Sequence, residues 1–438
     1  MWSPAISFEK GSLAVSGLSA RQLAKEFGTP TFFIDEDHFR ARAAAWARSL
    51  ESHFGASAGE VYYAAKAFIC IDIARWIKEE GIGIDVCTGG ELAVALAGGI
   101  DPKKIEVHGN NKSLAEIDRA VSVGVKTIVI DSLYEIERVA ASAAKHGVRQ
   151  GVLLRLTPGV QAHTHESIST AHEDVKFGFS IASGAASAAV AQVLQHSCLE
   201  LRGFHCHVGS QIFGTDSFEL AATRIIALMK SVKNEHGIEL PELDLGGGYA
   251  IAYLPGDVTV EPEDVLPSLS AVVKRECAAA GLALPIISIE PGRNIVGPTT
   301  FTLYEVGTVK EVLLEDGRTR RYISVDGGMS DNIRTSLYDA KYFAVLADRT
   351  SDAPSALSRV VGKHCETGDI VIRDIELPAD IAPGDLLATP ATGAYGRSMA
   401  SNYNHVPRPP VVAIRNGKAR VIVRRENEAD LLALDVKE

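Results

Sequence analysis

Short apolar runs alternate with amphipathic segments of helix length between residues 61 and 290. The runs are rich in aliphatic and aromatic residues, which predicts strands at 61–66, 82–87, 105–108, 127–130, 151–156, 202–208, 242–246 and 286–290. The segments between them place apolar residues three and four apart, which predicts helices at 71–80, 90–97, 114–123, 134–146, 184–196, 218–236 and 261–280. Eight successive strand-then-helix units favour an α/β fold of the (β/α)8 TIM-barrel type over an open doubly wound sheet.

The pattern changes after Pro298 to β-type runs without long helices. These predict strands at 300–306, 321–325, 358–361, 370–375, 385–388, 411–414 and 419–424. Turn signals at Asp316-Gly317 and Asn416-Gly417 separate some of the runs, which is typical of a mostly antiparallel β-barrel or sandwich. We therefore expect an N-terminal segment at 1–35, a barrel domain at 36–298 and a C-terminal β domain at 299–438.

The N-terminal segment has its own short pattern. Residues 5–16 alternate around Lys10-Gly11 like a hairpin, residues 18–27 have a helical pattern, and residues 30–35 form an extended run. We expect part of this segment to pack with the C-terminal β domain, with the hairpin adding a strand to it.

Composition narrows the class of protein. The chain of 438 residues has 46% hydrophobic and 23% charged residues, typical of a globular protein. A net charge of −11 offers no basic field for nucleic acid or an anionic membrane. No apolar stretch reaches the roughly 20 residues of a membrane span, and from Met1-Trp2-Ser3-Pro4 we expect no signal peptide. The six cysteines contain no CxxC pair, so we expect no disulfide framework, no zinc ribbon and a cytoplasmic protein.

Chemically active residues recur at the predicted strand ends, where barrels of this type build their active sites. They are Lys66, Asp85, His108, Arg155, His205, His207, the run Gly246-Gly247-Gly248, and Glu290. A packing face would not gather a lysine, carboxylates, imidazoles and three glycines at one end.

Lys66 and the glycine run each allow two interpretations. A lysine at the end of an apolar strand is usually exposed, but in a partly dry pocket it can form a Schiff base with a carbonyl. Three glycines after the seventh strand form either a flexible turn or a phosphate site made of backbone N–H groups.

His205 and His207 allow three interpretations. The HxH pair could bind zinc, as in amidohydrolases, although no further His and Asp ligands follow strands seven and eight. One imidazole could instead stack on a flat cofactor ring with Ser210 near a phosphate, or the histidines could belong to the core. If the cofactor is pyridoxal phosphate, the carboxylate of Glu290 can keep its pyridine nitrogen protonated.

Specific motifs extend this pattern over most of the chain. They are Tyr63-Ala64-Ala65-Lys66-Ala67, His108-Gly109-Asn110-Asn111-Lys112-Ser113, His163-Thr164-His165-Glu166, 205–211, Glu290-Pro291-Gly292-Arg293, 326–334, Cys365-Glu366-Thr367-Gly368-Asp369 and Thr392-Gly393-Ala394-Tyr395. With these motifs the chain, from about residue 11 to 434, resembles the fold-type III pyridoxal-phosphate-dependent decarboxylases, and among them the meso-diaminopimelate decarboxylases of actinobacteria.

The resemblance implies a role for each matching residue. Pyridoxal 5′-phosphate would be the cofactor and no metal would be needed. The implied cofactor residues are Lys66 as the Schiff-base lysine, His207 stacked on the ring, Glu290 at the pyridine nitrogen, Asp85 beside the lysine, Arg155 near the ring, and Ser210, Gly248 and Tyr395 at the phosphate. Gly246, Gly247, Gly292 and Arg293 are the other implied cofactor-binding residues. The implied substrate residues are Arg293, Arg334, Tyr338, Glu366 and Tyr395, and the implied proton donor is Cys365.

The resemblance also implies the substrate and the assembly. Meso-2,6-diaminopimelate would lose CO2 to give L-lysine, the last step of lysine biosynthesis, in a homodimer where Cys365 and Glu366 reach the other subunit's site. Diaminopimelate carries an amino-acid group at each end, so a guanidinium such as that of Arg334 and an acid such as Glu366 suit its far end. Two residues depart from the common family pattern, Thr335 in place of proline and Ala250 in place of glycine.

Alternatives remain open from the sequence. They are another basic amino-acid decarboxylase of the same family, a zinc amidohydrolase using the HxH pair, and a non-catalytic carrier of the cofactor. We also expect residues 161–179, after the fifth strand, to form a lid over the substrate.

Overall fold

The computed structural model describes residues 1–9, 11–56, 58–160 and 176–436. These residues form two compact units, which we call the β unit and the barrel unit. The β unit comprises Met1–Ala41, Ile251–Thr259 and Ile295–Glu438, and the barrel unit comprises Arg42–Ala250 and Val260–Asn294. The domain limits expected from the sequence stay predictions. Among the described helices, none combines the length and apolar character that a membrane span requires.

The strands in chain order are β1 (Ile6–Glu9), β2 (Ser12–Val15), β3 (Leu18–Ser19), β4 (Thr31–Asp35), β5 (Gly59–Ala64), β6 (Gly83–Val86), β7 (Ile105–Val107), β8 (Thr127–Ile130), β9 (Gln150–Thr157), β10 (Phe179–Ser180), β11 (Leu199–Cys206), β12 (Glu242–Asp244), β13 (Ile286–Ile289), β14 (Thr300–Leu313), β15 (Thr319–Val325), β16 (Val345–Leu346), β17 (Ser355–Val361), β18 (Ile370–Pro378), β19 (Leu386–Thr389), β20 (Val411–Arg415) and β21 (Lys418–Val423).

The α-helices are α1 (Ala20–Phe27), α2 (Glu36–Phe54), α3 (Ile71–Glu79), α4 (Gly89–Ala97), α5 (Leu114–Val123), α6 (Leu133–His146), α7 (Ala185–Val193), α8 (Asp216–His236), α9 (Pro262–Ala280), α10 (Gly292–Val296), α11 (Arg334–Tyr338) and α12 (Glu428–Leu432).

The barrel unit contains a closed parallel sheet. Its strands pair in the order β5-β6-β7-β8-β9-β11-β12-β13, and β13 pairs with β5 to close the ring. The short strand β10 adds to the carboxyl end of β9. Strands β6, β7, β8 and β12 are buried along their whole length, as expected for a parallel sheet covered by helices. The predicted TIM-type barrel is confirmed.

The helices of the barrel begin and end at residues suited to those positions. Ser113 accepts a hydrogen bond from the backbone N–H of Glu116, whose side chain bonds back to Ser113, which forms a capping box at the start of α5. Ser132 caps α6 by accepting a hydrogen bond from the backbone N–H of Glu135. Gly124 and Gly147 end these helices in the left-handed conformation that glycine adopts without strain. These local signals explain why the sequence predicted both helices closely.

The β unit contains a mostly antiparallel sheet. Its path is β18-β17-β15-β14-β4-β20-β21, with β19 beside β14 and β16 beside β19. Only the β15–β17 and β4–β20 pairs along this path are parallel. Asn416 and Gly417 both have positive φ between β20 and β21, which is the two-residue hairpin turn that their sequence predicts. The predicted class of this region is confirmed.

The expectation that the N-terminal hairpin extends this sheet is wrong. Strands β1, β2 and β3 form a separate sheet, and β4 enters the larger one between β14 and β20. All five residues of β4 are buried, as expected for a strand inside a sheet that is covered on both faces, whereas the hairpin leaves Phe8 of β1 exposed. Leu13 and Val15 of the hairpin pack with Phe33 of β4 in one apolar core.

Helix α2 and strand β14 are examples of elements that differ from the predictions. Helix α2 was not predicted, because its run of alanines between Ala43 and Ala47 weakens the contrast between apolar and polar faces. Strand β14 runs to Leu313, whereas the prediction ended at residue 306. The outer half of the strand was missed because most of its residues, such as Glu311, are exposed. At the site itself, β5 ends at Ala64, and Lys66 lies in the short 3₁₀ turn Ala65–Ala67.

Candidate active site

Lys66 stands directly after the first barrel strand. Its neighbours Ala65 and Ala67 are buried in the 3₁₀ turn, while Lys66 is half-buried. Its positive charge acts on groups at the neighbouring strand ends, because it opposes the rise in the pKa of Asp85 and contributes to the fall in the pKa of His207. The ammonium group therefore belongs to the cluster that the sequence predicted at this end of the barrel.

Asp85 lies on β6 and is 1% exposed. Burial raises its pKa well above the usual range, with a further rise from the nearby charge of Glu290. No described residue gives its Oδ2 atom a hydrogen bond. Asp85 is thus a buried acid next to Lys66, with an oxygen available to a bound molecule.

Glu290 follows β13 and meets two histidines from other strands. Its Oε1 atom is 3.0 Å from Nε2 of His205 and 3.5 Å from Nε2 of His108. Burial lowers the pKa of His108 to about 4 and that of His205 well below its usual range, so both imidazoles are neutral at pH 7. Within the described part of the chain, neither Oε1 of Glu290 nor Nε2 of His205 has an aligned hydrogen bond.

Two more buried acids lie close to Glu290. Glu106, Asp244 and Glu290 each offer an oxygen within 4.8 Å of the others. Burial raises the pKa of Glu106 to about 8 and that of Asp244 well above its usual range. The sequence analysis assigned neither Glu106 nor Asp244 a role, although an acid inside an apolar strand was a usable signal.

The histidine arrangement bears on the zinc interpretation. His108, His205 and Glu290 bring their ligand atoms within 4.8 Å of one another, so the third and the eighth strands of the barrel supply partners for His205. His207 is not in this group. Its Nδ1 atom instead accepts a hydrogen bond from the backbone N–H of Gly247 at 3.3 Å. The two histidines of the HxH pair therefore have different surroundings.

The glycine run after β12 is shaped by close backbone approaches. A Cβ atom on Gly246 would lie 2.3 Å from the backbone oxygen of Cys206, and one on Gly247 would lie 2.2 Å from that of Glu290. Gly248 has a φ of +114° and approaches Gly209 equally closely. No side chain fits at any of these positions, so the turn presents bare backbone at the predicted phosphate end of the barrel.

Ser210 lies in a second turn that bonds to the glycine run. The backbone N–H of Ile212 donates to the oxygen of Gly248 at 2.9 Å, and Ala250 donates back to Ile212 at 3.1 Å. The two turns are therefore held side by side, with Ser210 half-buried in the first. Ala250, one of the departures from the family pattern, is fully buried in this pairing.

Arg155 and the residues after Glu290 complete the barrel end. The guanidinium of Arg155 lies 4.2 Å from the ring centre of Phe177, and its Nε is 3.8 Å from Oδ2 of Asp131. A Cβ on Gly292 would lie 2.5 Å from that of Ala64, so Gly292 allows the last strand end to pass close to the first. Arg293 is buried.

The β unit holds the remaining predicted residues. Arg334 is buried and donates from Nη1 to the hydroxyls of Tyr253 and Tyr342, residues that the sequence analysis did not single out. Tyr338 ends α11 and is half-buried. Tyr395 is half-buried and has a φ of +61°. Nothing in the sequence around Tyr253 signals a link to Arg334.

Cys365 and Glu366 lie on an exposed turn between β17 and β18. Asp369 holds the turn, because its carboxylate accepts from the backbone N–H groups of Met329 and His364 at 2.6 and 2.7 Å. Tyr403 donates its hydroxyl to Glu366. The turn that carries the thiol and the carboxylate is therefore held in place by hydrogen bonds.

Part of the predicted lid, residues 161–175, lies outside the described residues, and so does the 163–166 motif.

The structure gives Thr335, one of the departures from the family pattern, a role within the β unit. Its hydroxyl donates to the backbone oxygen of Val371 at 2.8 Å. A proline at this position would lack that bond, so Thr335 offers another way of fixing α11.

The barrel end suits a phosphate-bearing pyridine cofactor. A lysine, a glycine turn with no side chains and a buried carboxylate oxygen without an aligned hydrogen bond suit the aldehyde, the phosphate and the pyridinium nitrogen of such a cofactor. The fold and the site thus define the class of the pyridoxal-phosphate enzymes. The family model described as "Pyridoxal-dependent decarboxylase, pyridoxal binding domain" matches residues 36–297, and the chain belongs to this family.

Individual relatives narrow the class. The chain is 54% identical to the diaminopimelate decarboxylase of Mycobacterium tuberculosis over 433 residues, covering 98% of this chain and 96% of that one. It is 47% identical to the diaminopimelate decarboxylase of Corynebacterium efficiens, covering 99% and 93%. A crystal structure of the M. jannaschii diaminopimelate decarboxylase with L-lysine superposes with a TM-score of 0.91 at 29% identity, covering 100% and 99%.

Proposed function

We propose that this protein decarboxylates meso-2,6-diaminopimelate to L-lysine and CO2, the last step of lysine biosynthesis, with pyridoxal 5′-phosphate as its cofactor. The observation that carries the proposal is the buried Glu290 oxygen without an aligned hydrogen bond, at the same barrel end as Lys66 and the glycine turn. The near full-length identity to diaminopimelate decarboxylases supports the choice of substrate.

The residues of the barrel end would hold the cofactor. Pyridoxal phosphate, when bound, draws off the electron pair left on Cα after CO2 departs. Lys66 would bind its aldehyde carbon, Glu290 its ring nitrogen and His207 its ring face. The turn of Gly246, Gly247 and Gly248, with Ser210 and Tyr395, would bind its phosphate. The N–H of Gly248 would be the donor, because those of Gly246 and Gly247 already donate to Asp244 and His207. Asp85, Arg155, Gly292 and Arg293 would complete the surroundings.

Residues of the β unit would bind the far end of the substrate. Arg334 is a buried cation without a carboxylate partner among the described residues, which suits a carboxylate of the substrate. Glu366 would pair with the far ammonium group. Arg293, Tyr338 and Tyr395 are the other proposed substrate residues.

The proposed proton donor is the Cys365 thiol, which would protonate Cα after the loss of CO2. The resemblance implies a homodimer in which the partner subunit's Cys365 and the partner's Glu366 complete each site. Their exposure on a firmly held turn supports this, because such a turn can enter a neighbouring molecule without reorganising. The cytoplasmic location stays a prediction.

The alternatives have weaker support. A decarboxylase for a diamine precursor would need acids alone at the far end of the substrate, whereas Arg334 is a cation. The close grouping of His108, His205 and Glu290 is the one observation that favours a zinc enzyme, but the curated relatives are diaminopimelate decarboxylases. A non-catalytic carrier would not need the Cys365 turn.

The first test is turnover by the purified holoenzyme. CO2 release and lysine formation should follow the addition of meso-diaminopimelate, but not of ornithine or arginine. Borohydride reduction should fix the cofactor on the peptide that contains Lys66, and Lys66→Ala should abolish both the attachment and measurable turnover. Lys104→Ala is the matched control. That lysine directly precedes β7 and so lies at the amino-terminal end of the barrel strands, and the variant should behave as wild type. Cofactor fixed on any other lysine would contradict the assignment.

A further inference from the structure

Arg334 has unusual surroundings for a buried arginine. It is 7% exposed, and no carboxylate among the described residues lies within ion-pair distance. An arginine stays protonated in proteins, so its positive charge is retained in this setting. Buried charges are normally paired, and an unpaired one indicates either a missing anion or a special arrangement of neutral groups.

Two tyrosines supply the neutral groups. Nη1 of Arg334 donates to the hydroxyl of Tyr253 at 2.9 Å and to that of Tyr342 at 2.5 Å. Both bonds use the same nitrogen. No hydrogen bond from Nε or Nη2 joins Arg334 to another described residue, so the rest of the guanidinium's donors stay available to a ligand.

The tyrosine rings add a second constraint. The guanidinium carbon lies 5.0 Å from the ring centre of Tyr253 and 5.6 Å from that of Tyr342. The two rings meet edge to face at 5.4 Å and 85°. Cation–π attraction therefore acts from both rings, which themselves form a favourable aromatic pair. An aspartate or glutamate here would fix the arginine as well, but it would neutralise the charge that the substrate needs.

The chain places both tyrosines by local devices. Asp339 ends α11 with a φ of +52°, and Ala340 then donates back to the oxygen of Arg334, which returns the chain so that Tyr342 reaches the guanidinium. Tyr253 belongs to Ile251–Thr259, a short stretch of the β unit between two parts of the barrel unit. The side chain of Asp257 accepts from the backbone N–H of Tyr253 at 3.1 Å and fixes that turn.

We propose that Tyr253 and Tyr342 are positioning residues that hold Arg334 charged and oriented for the carboxylate at the substrate's far end. The inference rests on the proposed function. It adds a specificity device, in which neutral hydroxyls and ring faces replace the usual acidic partner so that the substrate supplies the only anion.

The test uses Tyr253→Phe and Tyr342→Phe in the holoenzyme. Each loses one hydroxyl bond to a charged group and keeps its ring. KM for meso-diaminopimelate should rise about 10-fold in each variant, while kcat stays within about 2-fold. The absorption spectrum of the bound cofactor should not change. Tyr322→Phe is the matched control, because its ring lies 5.7 Å from the Arg359 guanidinium without a hydroxyl bond to it, and it should leave KM unchanged.

Two inhibitors separate a positioning role from a merely structural one. L-lysine keeps the carboxylate of the end that is not decarboxylated, whereas 1,5-diaminopentane carries no carboxylate. The inhibition constant of lysine should rise with KM in both variants, and that of 1,5-diaminopentane should stay as in wild type. A loss in kcat alone, or equal weakening of both inhibitors, would overturn the inference.

The two proposals can fail separately. Wild-type turnover of meso-diaminopimelate with unaltered Phe variants would leave the proposed function intact and overturn the positioning role. If wild type shows no turnover, calorimetric titration with lysine and with 1,5-diaminopentane still decides the positioning role. If the two Phe variants changed the dissociation constants of both ligands by the same factor, or changed neither, the positioning role would be rejected. Melting temperatures verify folding, and the two tyrosine variants test the same role independently.

Discussion

Burial decides the charge of the side chains around Glu290. Glu106 is fully buried on β7, where Thr127 donates to its Oε1 at 2.9 Å and Nε2 of His108 lies 3.7 Å from its Oε2. The neighbouring histidine is neutral, so it cannot offset a negative charge there. The loss of hydration raises the pKa of Glu106 from 4.5 to about 8, with Lys126 opposing the rise and Glu290 adding to it.

This shift predicts a pH-dependent stability. Between pH 4.5 and about 8 the folded protein keeps a proton on Glu106 that the unfolded chain has lost, so the free energy of unfolding falls as pH rises. The slope is about 1.4 kcal/mol per pH unit for one proton. Glu106→Gln mimics the protonated form, so its melting temperature should exceed that of wild type by more at pH 8 than at pH 5.5. The control is Glu315→Gln, at an exposed position. Melting curves that shift in parallel for both variants would contradict the assignment.

At the scale of elements, the ends of β11, β12 and β13 meet through their backbones. The glycine run after β12 fits between the turn after β11 and the oxygen of Glu290, at distances that leave no room for a Cβ. The conformation of this turn is therefore fixed by the strands on either side. Its N–H groups are directed by the fold and not by any side chain of its own.

Gly247→Ala should therefore damage the turn selectively. The added Cβ would lie 2.2 Å from the oxygen of Glu290, and overpacking of this kind destabilises by about 1 to 3 kcal/mol. We expect the dissociation constant of pyridoxal phosphate, measured by fluorescence titration, to rise at least about 10-fold. Gly214→Ala is the control, because a Cβ there meets nothing within 4 Å. Equal cofactor affinity in the two variants would show that the glycine turn does not hold the phosphate.

At the scale of the whole molecule, the proposed site residues are divided between the two units. Lys66 belongs to the barrel unit, while Cys365 belongs to the β unit, about 300 residues later in the chain. A two-fold symmetric dimer would supply the two residues of each site from different subunits. The exposure of Cys365 on its clamped turn is the property that such an arrangement needs.

Complementation tests this arrangement. Lys66→Ala and Cys365→Ala subunits, each impaired alone, should recover about a quarter of wild-type activity when mixed equally and allowed to exchange. About half of the dimers are then mixed, and each has one intact site of two. Lys66→Ala mixed with Glu290→Gln is the control, because both residues come from the barrel and no site is restored. Recovery in neither mixture, with dimers verified by light scattering, would show that each site draws on a single chain.

Local patterns in the sequence predicted most of the elements. Period and composition located the ends of the eight barrel strands to within three residues, and caps such as Ser113 and Gly124 fix the ends of α5. These signals are carried by neighbouring residues, so they can be read without the fold. The strand-end rule then brought Lys66, Asp85 and Glu290 into one predicted site, because parallel strands end on the same side of a barrel.

Tertiary structure decided what depends on residues far apart in sequence. The pairing of β4 with β14 and β20, the contact of His205 with Glu290 and the hydroxyl bonds of Tyr253 to Arg334 each join segments separated by about 80 residues or more. No local period encodes such contacts, because they depend on which surfaces remain to be buried once the elements have formed. The sequence alone predicted which groups would do the chemistry, and only the packed fold determined how those groups are charged and held, because burial and partners set both.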